Sequence, residues 1–266
     1  AQWEVLRAIA NRWGGNDDPE YLARTTQRLI EVARAPEPIH VRTGAIATLP
    51  YFLSHTIDRL GLSGMGEILC EVEHQQMSPY ETAQIALARA WWLQRNGDWQ
   101  RAAAAIQDAE QIVASEGIGS TLAVRIAIGN GLLRSLRGQY DEAIPILERA
   151  AHHAKRLENP VQIAAASASL ATAYGRLGNY PCQVARSVDA LAVVTSTDCS
   201  MLAIAAVYEQ ALGLAFEGAD HEALSAAESL EIRNHRRCPA WASQAAYLMR
   251  ADVLAILGDD RRALSF

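Results

Sequence analysis

Apolar residues return at helical spacing along most of this 266-residue chain, and short polar breaks interrupt them at near-constant distances. A glycine followed by a polar or aromatic pair, and then usually by alanine, occurs at Gly97, Gly138, Gly178, Gly218 and Gly258, at intervals of 41, 40, 40 and 40 residues. Glycine just past the last periodic position closes a helix, and the polar residue after it opens the next. Each break therefore predicts the tip of an antiparallel helix hairpin. A small residue stands seven positions before every one of these glycines: Ala90, Gly131, Ala171, Ala211 and Ala251. Five positions after them come Ala102, Ala143, Ala223 and Ala263, with Gln183 the exception. Twelve after come Ala109, Ala150 and Ala190, with Leu230 breaking the series. Small side chains at fixed places are what two helices need where they cross most closely.

The first 78 residues have the helical pattern but not the register. Helices are expected over 1–13, 18–34, 38–60 and 64–76, separated by the stretch from Gly14 to Pro19, by Pro36-Glu37-Pro38 and by the stretch from Gly61 to Gly66. Pro50 should kink or break the third of them, because proline removes a backbone donor and clashes with the preceding turn. Residues 1–78 thus read either as degenerate hairpins continuing the repeat or as an N-terminal cap. Repeats follow at about 79–117, 118–158, 159–198, 199–238 and an incomplete 239–266.

The run Leu170-Ala171-Thr172-Ala173-Tyr174-Gly175-Arg176-Leu177-Gly178-Asn179-Tyr180, recurring in register, resembles the first helix and turn of the tetratricopeptide (TPR) repeat. The unit here is 40 residues instead of the usual 34 and lacks the proline that ends the second helix, so extended helices or longer connections are implied. Long units of this kind resemble those of bacterial signalling proteins, both regulators of the LuxR and maltose-activator type and TPR-bearing diguanylate cyclases with a GGDEF domain. The resemblance implies an all-α fold, a right-handed superhelical stack of antiparallel hairpins, with a concave ligand surface lined by the first helix of each pair. Its inward positions fall on Leu87, Trp91, Gln94 and Arg95, then Arg125, Ile128, Leu132 and Ser135, then Thr172 and Arg176, then Tyr208, Leu212 and Phe216, and finally Leu248 and Asp252. The Lys and Asn with which some TPR domains clamp acidic tails are absent from the two inward positions concerned, occupied by Leu87 and Trp91, Ile128 and Leu132, or Ala168 and Thr172.

Composition agrees with close-packed helices: alanine accounts for 49 residues, phenylalanine for 3 and proline for 9. Of 24 cationic residues only Lys155 is lysine, a bias that points to a GC-rich, bacterial coding sequence. The net charge of -6 is the wrong sign for direct nucleic-acid binding. No apolar stretch reaches the ~18 residues of a membrane span, no signal peptide is evident, and a cytoplasmic location is expected. The chain opens on Ala1 and closes inside an unfinished repeat, so it reads as part of a longer protein whose output domain lies elsewhere.

Among candidate chemistries, binding is better supplied than catalysis. Trp91 at an inward position can anchor a peptide or an aromatic ligand; alternatively it and Trp92 divide core packing and a helix junction between them. The partner expected for the segment is a protein or peptide, or a small ligand. Arg95, Arg125 and Arg176 suit a carboxylate or phosphate, or else line a solvated wall with local ion pairs. Cys70 and His74 share a helical face with Glu67 a turn earlier, yet without a clear third ligand. A buried cysteine beside a surface histidine is the expected state, and no metal or cofactor is expected. His152 and His153 diverge on their helix and cannot grip one ion. The basic segment His235-Arg236-Arg237-Cys238-Pro239 is a candidate anion loop at a helix start. No phosphate-loop, dinucleotide, nucleophile-elbow or zinc-protease motif is present, so no enzyme activity is expected in this segment. The functional expectation is a binding scaffold or sensor, the alternative a module that holds an output domain together as a homodimer.

Overall fold

The computed structural model describes residues 19–53, 59–118, 121–194, 200–234, 240–259 and 263. The helix expected over 1–13 and the basic segment 235–239 lie outside the described residues. Among those described, all regular structure is α-helical, in the order α1 (Pro19–Arg34), α2 (Ile39–Leu53), α3 (Arg59–Glu73), α4 (Pro79–Arg95), α5 (Trp99–Ser115), α6 (Thr121–Leu136), α7 (Tyr140–Arg156), α8 (Pro160–Arg176), α9 (Tyr180–Val194), α10 (Ser200–Phe216), α11 (Asp220–Asn234) and α12 (Ala240–Ile256). Turns of three residues join α4 to α5, α6 to α7, α8 to α9 and α10 to α11. The extra length of the 40-residue unit therefore resides in its helices, most of them 17 residues and about 25 Å long.

One local device recurs at the tips of the repeat hairpins. The five repeat glycines adopt φ between 75° and 79°, and at Gly178 the bonds show why. Gly178 N donates to the carbonyl of Gly175 at 3.0 Å, and Asn179 N donates to that of Tyr174 at 2.9 Å, so two of the orphan carbonyls at the end of α8 are satisfied. The residue after the glycine then serves as N-cap of the following helix. Asn179 Oδ1 accepts from Cys182 N at 3.2 Å, and Asp98 Oδ1 accepts from Arg101 N at 3.2 Å. Helix α4 starts with a reciprocal capping box: Ser78 Oγ accepts from Glu81 N while Glu81 Oε2 accepts from Ser78 N, with Pro79 in the first turn.

The chain divides into two compact units, with the division at Leu133 and Arg134 inside α6. In the first unit, Leu29, Val32 and Ala33 of α1 pack with Val41, Ile46 and Leu49 of α2, Met65, Ile68 and Val72 of α3, and Ile85 and Ala88 of α4. A second cluster joins Ala90 and Leu93 of α4 to Ala102, Ile106 and Ala109 of α5 and Leu122, Ile126 and Leu133 of α6. Trp92 packs against both clusters.

Two expectations are corrected in this unit. The stretch Gly61 to Gly66 does not separate helices but lies inside α3. Gly66 gives room to an aromatic: a Cβ there would stand 2.6 Å from Cζ2 of Trp92. Helix α2 also continues through Pro50 to Leu53 instead of breaking there, which costs one backbone donor close to its end.

The second unit is built largely on alanine. Ala168, Ala190 and Ala206 form one buried contact between α8, α9 and α10. Ala211, Ala215, Ala223 and Ala227 join α10 to α11 with Val253 of α12. The crossing positions are buried at Ala90, Gly131, Ala171 and Ala211 in the first helices and at Ala102, Ala143 and Ala223 in the second, whereas Ala251 is half-buried.

Candidate functional site

The first helices place the expected inward residues differently in the two units. In the first, Trp91 is half-buried on α4 against the core cluster of α1 to α4, and the Arg95 guanidinium lies 5.4 Å from its ring centroid, a cation–π arrangement one helical turn apart. Gln94 on α4 and Leu132 on α6 are half-buried, while Ile128 and Ser135 are buried and thus removed from any ligand surface. Arg125 on α6 is also half-buried. It donates through Nη2 to the carbonyl of Ala47 at 3.5 Å, and burial pushes its pKa below the usual guanidinium range.

In the second unit the structure joins residues of adjacent repeats. Tyr208 of α10 donates its phenol proton to Asp252 Oδ2 of α12 at 3.1 Å. Burial, then the charge and hydrogen bond of Asp252, push the Tyr208 pKa up to about 12, so the phenol stays a donor. Thr172 of α8 donates to Glu209 Oε1 at 2.7 Å, and Gln183 Nε2 of α9 donates to Glu209 Oε2 at 2.8 Å. Burial raises the pKa of Glu209 despite both bonds, and the charge of Arg176, itself exposed, acts on Glu209 and Tyr208 alike in the opposite sense. Of the inward residues named from the sequence, Trp91 and Arg95 therefore meet, Tyr208 and Asp252 meet, and Thr172 bonds a carboxylate that had not been singled out.

Two signals in the sequence pointed to Glu209. It is the single Asp, Glu, Lys or Arg of α10, whose other residues are almost all apolar. Its partner Gln183 is the one residue that breaks the alanine column five positions after the repeat glycines. The larger side chain is accommodated by two glycines: a Cβ on Gly175 would come 2.6 Å from Gln183 Nε2, and one on Gly213 would come 3.3 Å from its Oε1.

The Cys70 and His74 pair takes a different form from the one expected. Cys70 is exposed, not buried, because Ile68, Leu69 and Val72 turn the opposite face of α3 to the core. His74 lies beyond the end of α3, and Glu67 is held by Arg34 at 2.6 Å. Among the described residues no group of three metal-ligating side chains occurs, and no described helix is long and apolar enough to cross a membrane.

No family model and no curated protein matches the sequence; solved structures do match the fold. NprR in complex with its cognate peptide NprX is similar with a TM-score of 0.61 and 13% identity, over 98% of this chain and 75% of that one. The TPR-like repeats of a putative kinesin light chain from Podospora anserina match with a TM-score of 0.57 and 20% identity, over 71% of this chain and 93% of that one. A signal transduction ATPase with a tetratricopeptide repeat sensor from Pyrococcus horikoshii matches with a TM-score of 0.62 and 17% identity, over 91% of this chain but 42% of that one. The fold is a TPR-type helical repeat.

Proposed function

We propose that this segment is a non-catalytic binding scaffold, the peptide- or protein-recognising sensor region of a larger bacterial signalling or transcription-regulatory protein. The observation that carries the reading is the state of the first-helix side chains. Trp91, Gln94, Leu132, Thr172 and Tyr208 are half-buried, and Arg95, Arg176 and Asp252 are exposed, at positions where a repeat built only for packing would place alanine. Rigid aromatics flanked by forked donors suit a peptide, whose backbone and side chains offer both apolar and hydrogen-bonding groups. NprR, whose fold is similar, is a peptide-bound protein, which supports this class of ligand. Affinity selection of peptides on the purified chain tests the proposal. Capture should weaken about tenfold or more in Trp91→Ala, the usual scale for loss of an aromatic anchor; capture indifferent to Trp91→Ala, and separately to Arg176→Ala, would remove the first helices of each unit as the site.

One observation favours a second reading, self-association. On α12 Leu248 is 68% exposed, with Tyr247 beside it and Ile256 two turns on, also exposed. Buried against a second copy, such residues would hold an output domain as a dimer. Light scattering decides, since a strict monomer at high micromolar concentration excludes it.

A further inference from the structure

We propose that Arg125 is the seat for a carboxylate carried by the bound peptide, a reading that rests on the peptide-binding role above. Seven other described arginines, Arg28, Arg34, Arg89, Arg101, Arg134, Arg186 and Arg250, each lie within ion-pair distance of an aspartate or glutamate. Arg125 has no such partner among the described residues. Its hydrogen bond is the 3.5 Å approach to the carbonyl of Ala47, at the outer limit for such a bond. Arginine cannot shed its proton under ordinary conditions, so a guanidinium drawn partly out of water without a counter-charge is a standing cost to the fold.

A carboxylate arriving with a ligand removes that cost and gains forked, charge-assisted bonds, stronger here than in water because the site is partly dry. The surroundings are suited to receive one. Tyr80 lies close enough for its charge state to act on Arg125. Gln84 Nε2 donates to Tyr80 Oη at 3.3 Å, which leaves the phenol proton free to donate to an incoming oxygen. Arg125 remains partly exposed, and Tyr80 is exposed, so the approach is open. Arg125 brings one positive charge, which balances a carboxylate better than a phosphate dianion. Arg125 lies one turn before Ile128, at a different position from the two where acidic-tail clamps carry Lys and Asn.

The test uses two degenerate decapeptide pools, one with free C-terminal acids and one with C-terminal amides, each incubated with the 266-residue chain. Retained peptides are then sequenced by mass spectrometry. The wild type should enrich a carboxylate at one fixed place: retention confined to the acid pool identifies the peptide C-terminus, and retention from both pools with Asp or Glu in register identifies a side chain. Arg125→Met should reduce that enrichment about tenfold or more, the order expected for a charge-assisted hydrogen bond, while the rest of the sequence preference persists. Arg125→Lys should fall between. Arg125→Met should also melt no lower than the wild type, because it removes a charge that nothing in the fold neutralises. Equal acid enrichment in Arg125→Met, retention without acid preference, or a clearly lowered melting temperature of Arg125→Met each overturns the proposal while leaving peptide binding in place. Retention of no peptide by the wild type overturns the binding reading and this one with it.

Discussion

Glu209 sits where its neighbours in the repeat need no charge, and its pH dependence has a definite sign. Burial raises its pKa in the fold above the ordinary ~4.3 of a free glutamate, so the native state binds this proton more tightly than the unfolded chain. The contribution to stability is complete below the unfolded value and is lost as pH rises through the native one. At neutral pH the ionised group is therefore a net burden. Glu209→Gln should raise the melting temperature at pH 7 and flatten the slope of stability with pH across that window. The amide fits the same bonds: its oxygen accepts from Gln183, and its nitrogen donates to the Thr172 hydroxyl, which already has the Ala168 carbonyl at 3.2 Å as a second acceptor. A melting temperature unchanged from pH 5 to pH 8 would show that the carboxylate is effectively solvated. A second residue-scale prediction concerns Glu158, the one described non-glycine residue with positive φ, at 50°. Left-handed backbone costs an ordinary residue about 1–2 kcal/mol, and glycine's greater freedom in the unfolded chain returns roughly 0.5–1 kcal/mol of that. Glu158→Gly should then stabilise by about 0.5–1 kcal/mol, while Gly178→Ala, at φ 79°, should destabilise by a similar amount, about 0.5–1 kcal/mol, through the same two opposing effects, both read by urea unfolding.

At the scale of the element, each hairpin tip completes one helix end and starts the next, and the four tips from Gly97 to Gly218 differ in how well they do the second. Asn179 and Asp98 cap through their side chains, whereas Ala219 has no side-chain acceptor to offer the start of α11. Ala219→Asn should stabilise by about 1 kcal/mol, and no shift in the urea midpoint would mean that α11 begins elsewhere. This chemistry was legible in the sequence because it is local: cap, turn and glycine lie within six residues of one another, and alanines at crossing points follow from the 40-residue period. What escaped the pattern depends on residues far apart in the chain. Gly61 to Gly66 looked like a helix break because the partner that explains Gly66 is Trp92, on another helix. Trp91, Tyr208 and Asp252 could be placed on the first helices, but the burial of Arg125 beside Ala47 and the convergence of Thr172 and Gln183 on Glu209 depend on packing between helices. Gln183 showed itself as a gap in the alanine column, and only the packing shows that the gap holds a polar contact.

At the scale of the whole molecule, a helical repeat couples mainly neighbour to neighbour, so damage should spread by proximity. Ala171 is fully buried on α8, which packs against α7, α9 and α10. Enlarging it to leucine inserts three carbons into an alanine-sized gap, and overpacking of this kind costs about 1–3 kcal/mol. Converted through the ordinary logarithmic scale, that is roughly a 5- to 150-fold rise in amide exchange wherever the local opening includes the strained contact. Hydrogen exchange on Ala171→Leu should therefore show its largest acceleration in α8 and in the helices packed against it, α7, α9 and α10, with a smaller effect in α11 and less again in α12. Equal acceleration from α7 to α12 would mean that the second unit opens as one cooperative body. In a linear array, a ligand seated on α8 and α10 would tighten those helices first and pass its effect outward with the same decay. The exchange profile of Ala171→Leu thus also measures how far from Thr172 and Tyr208 a binding event can be felt.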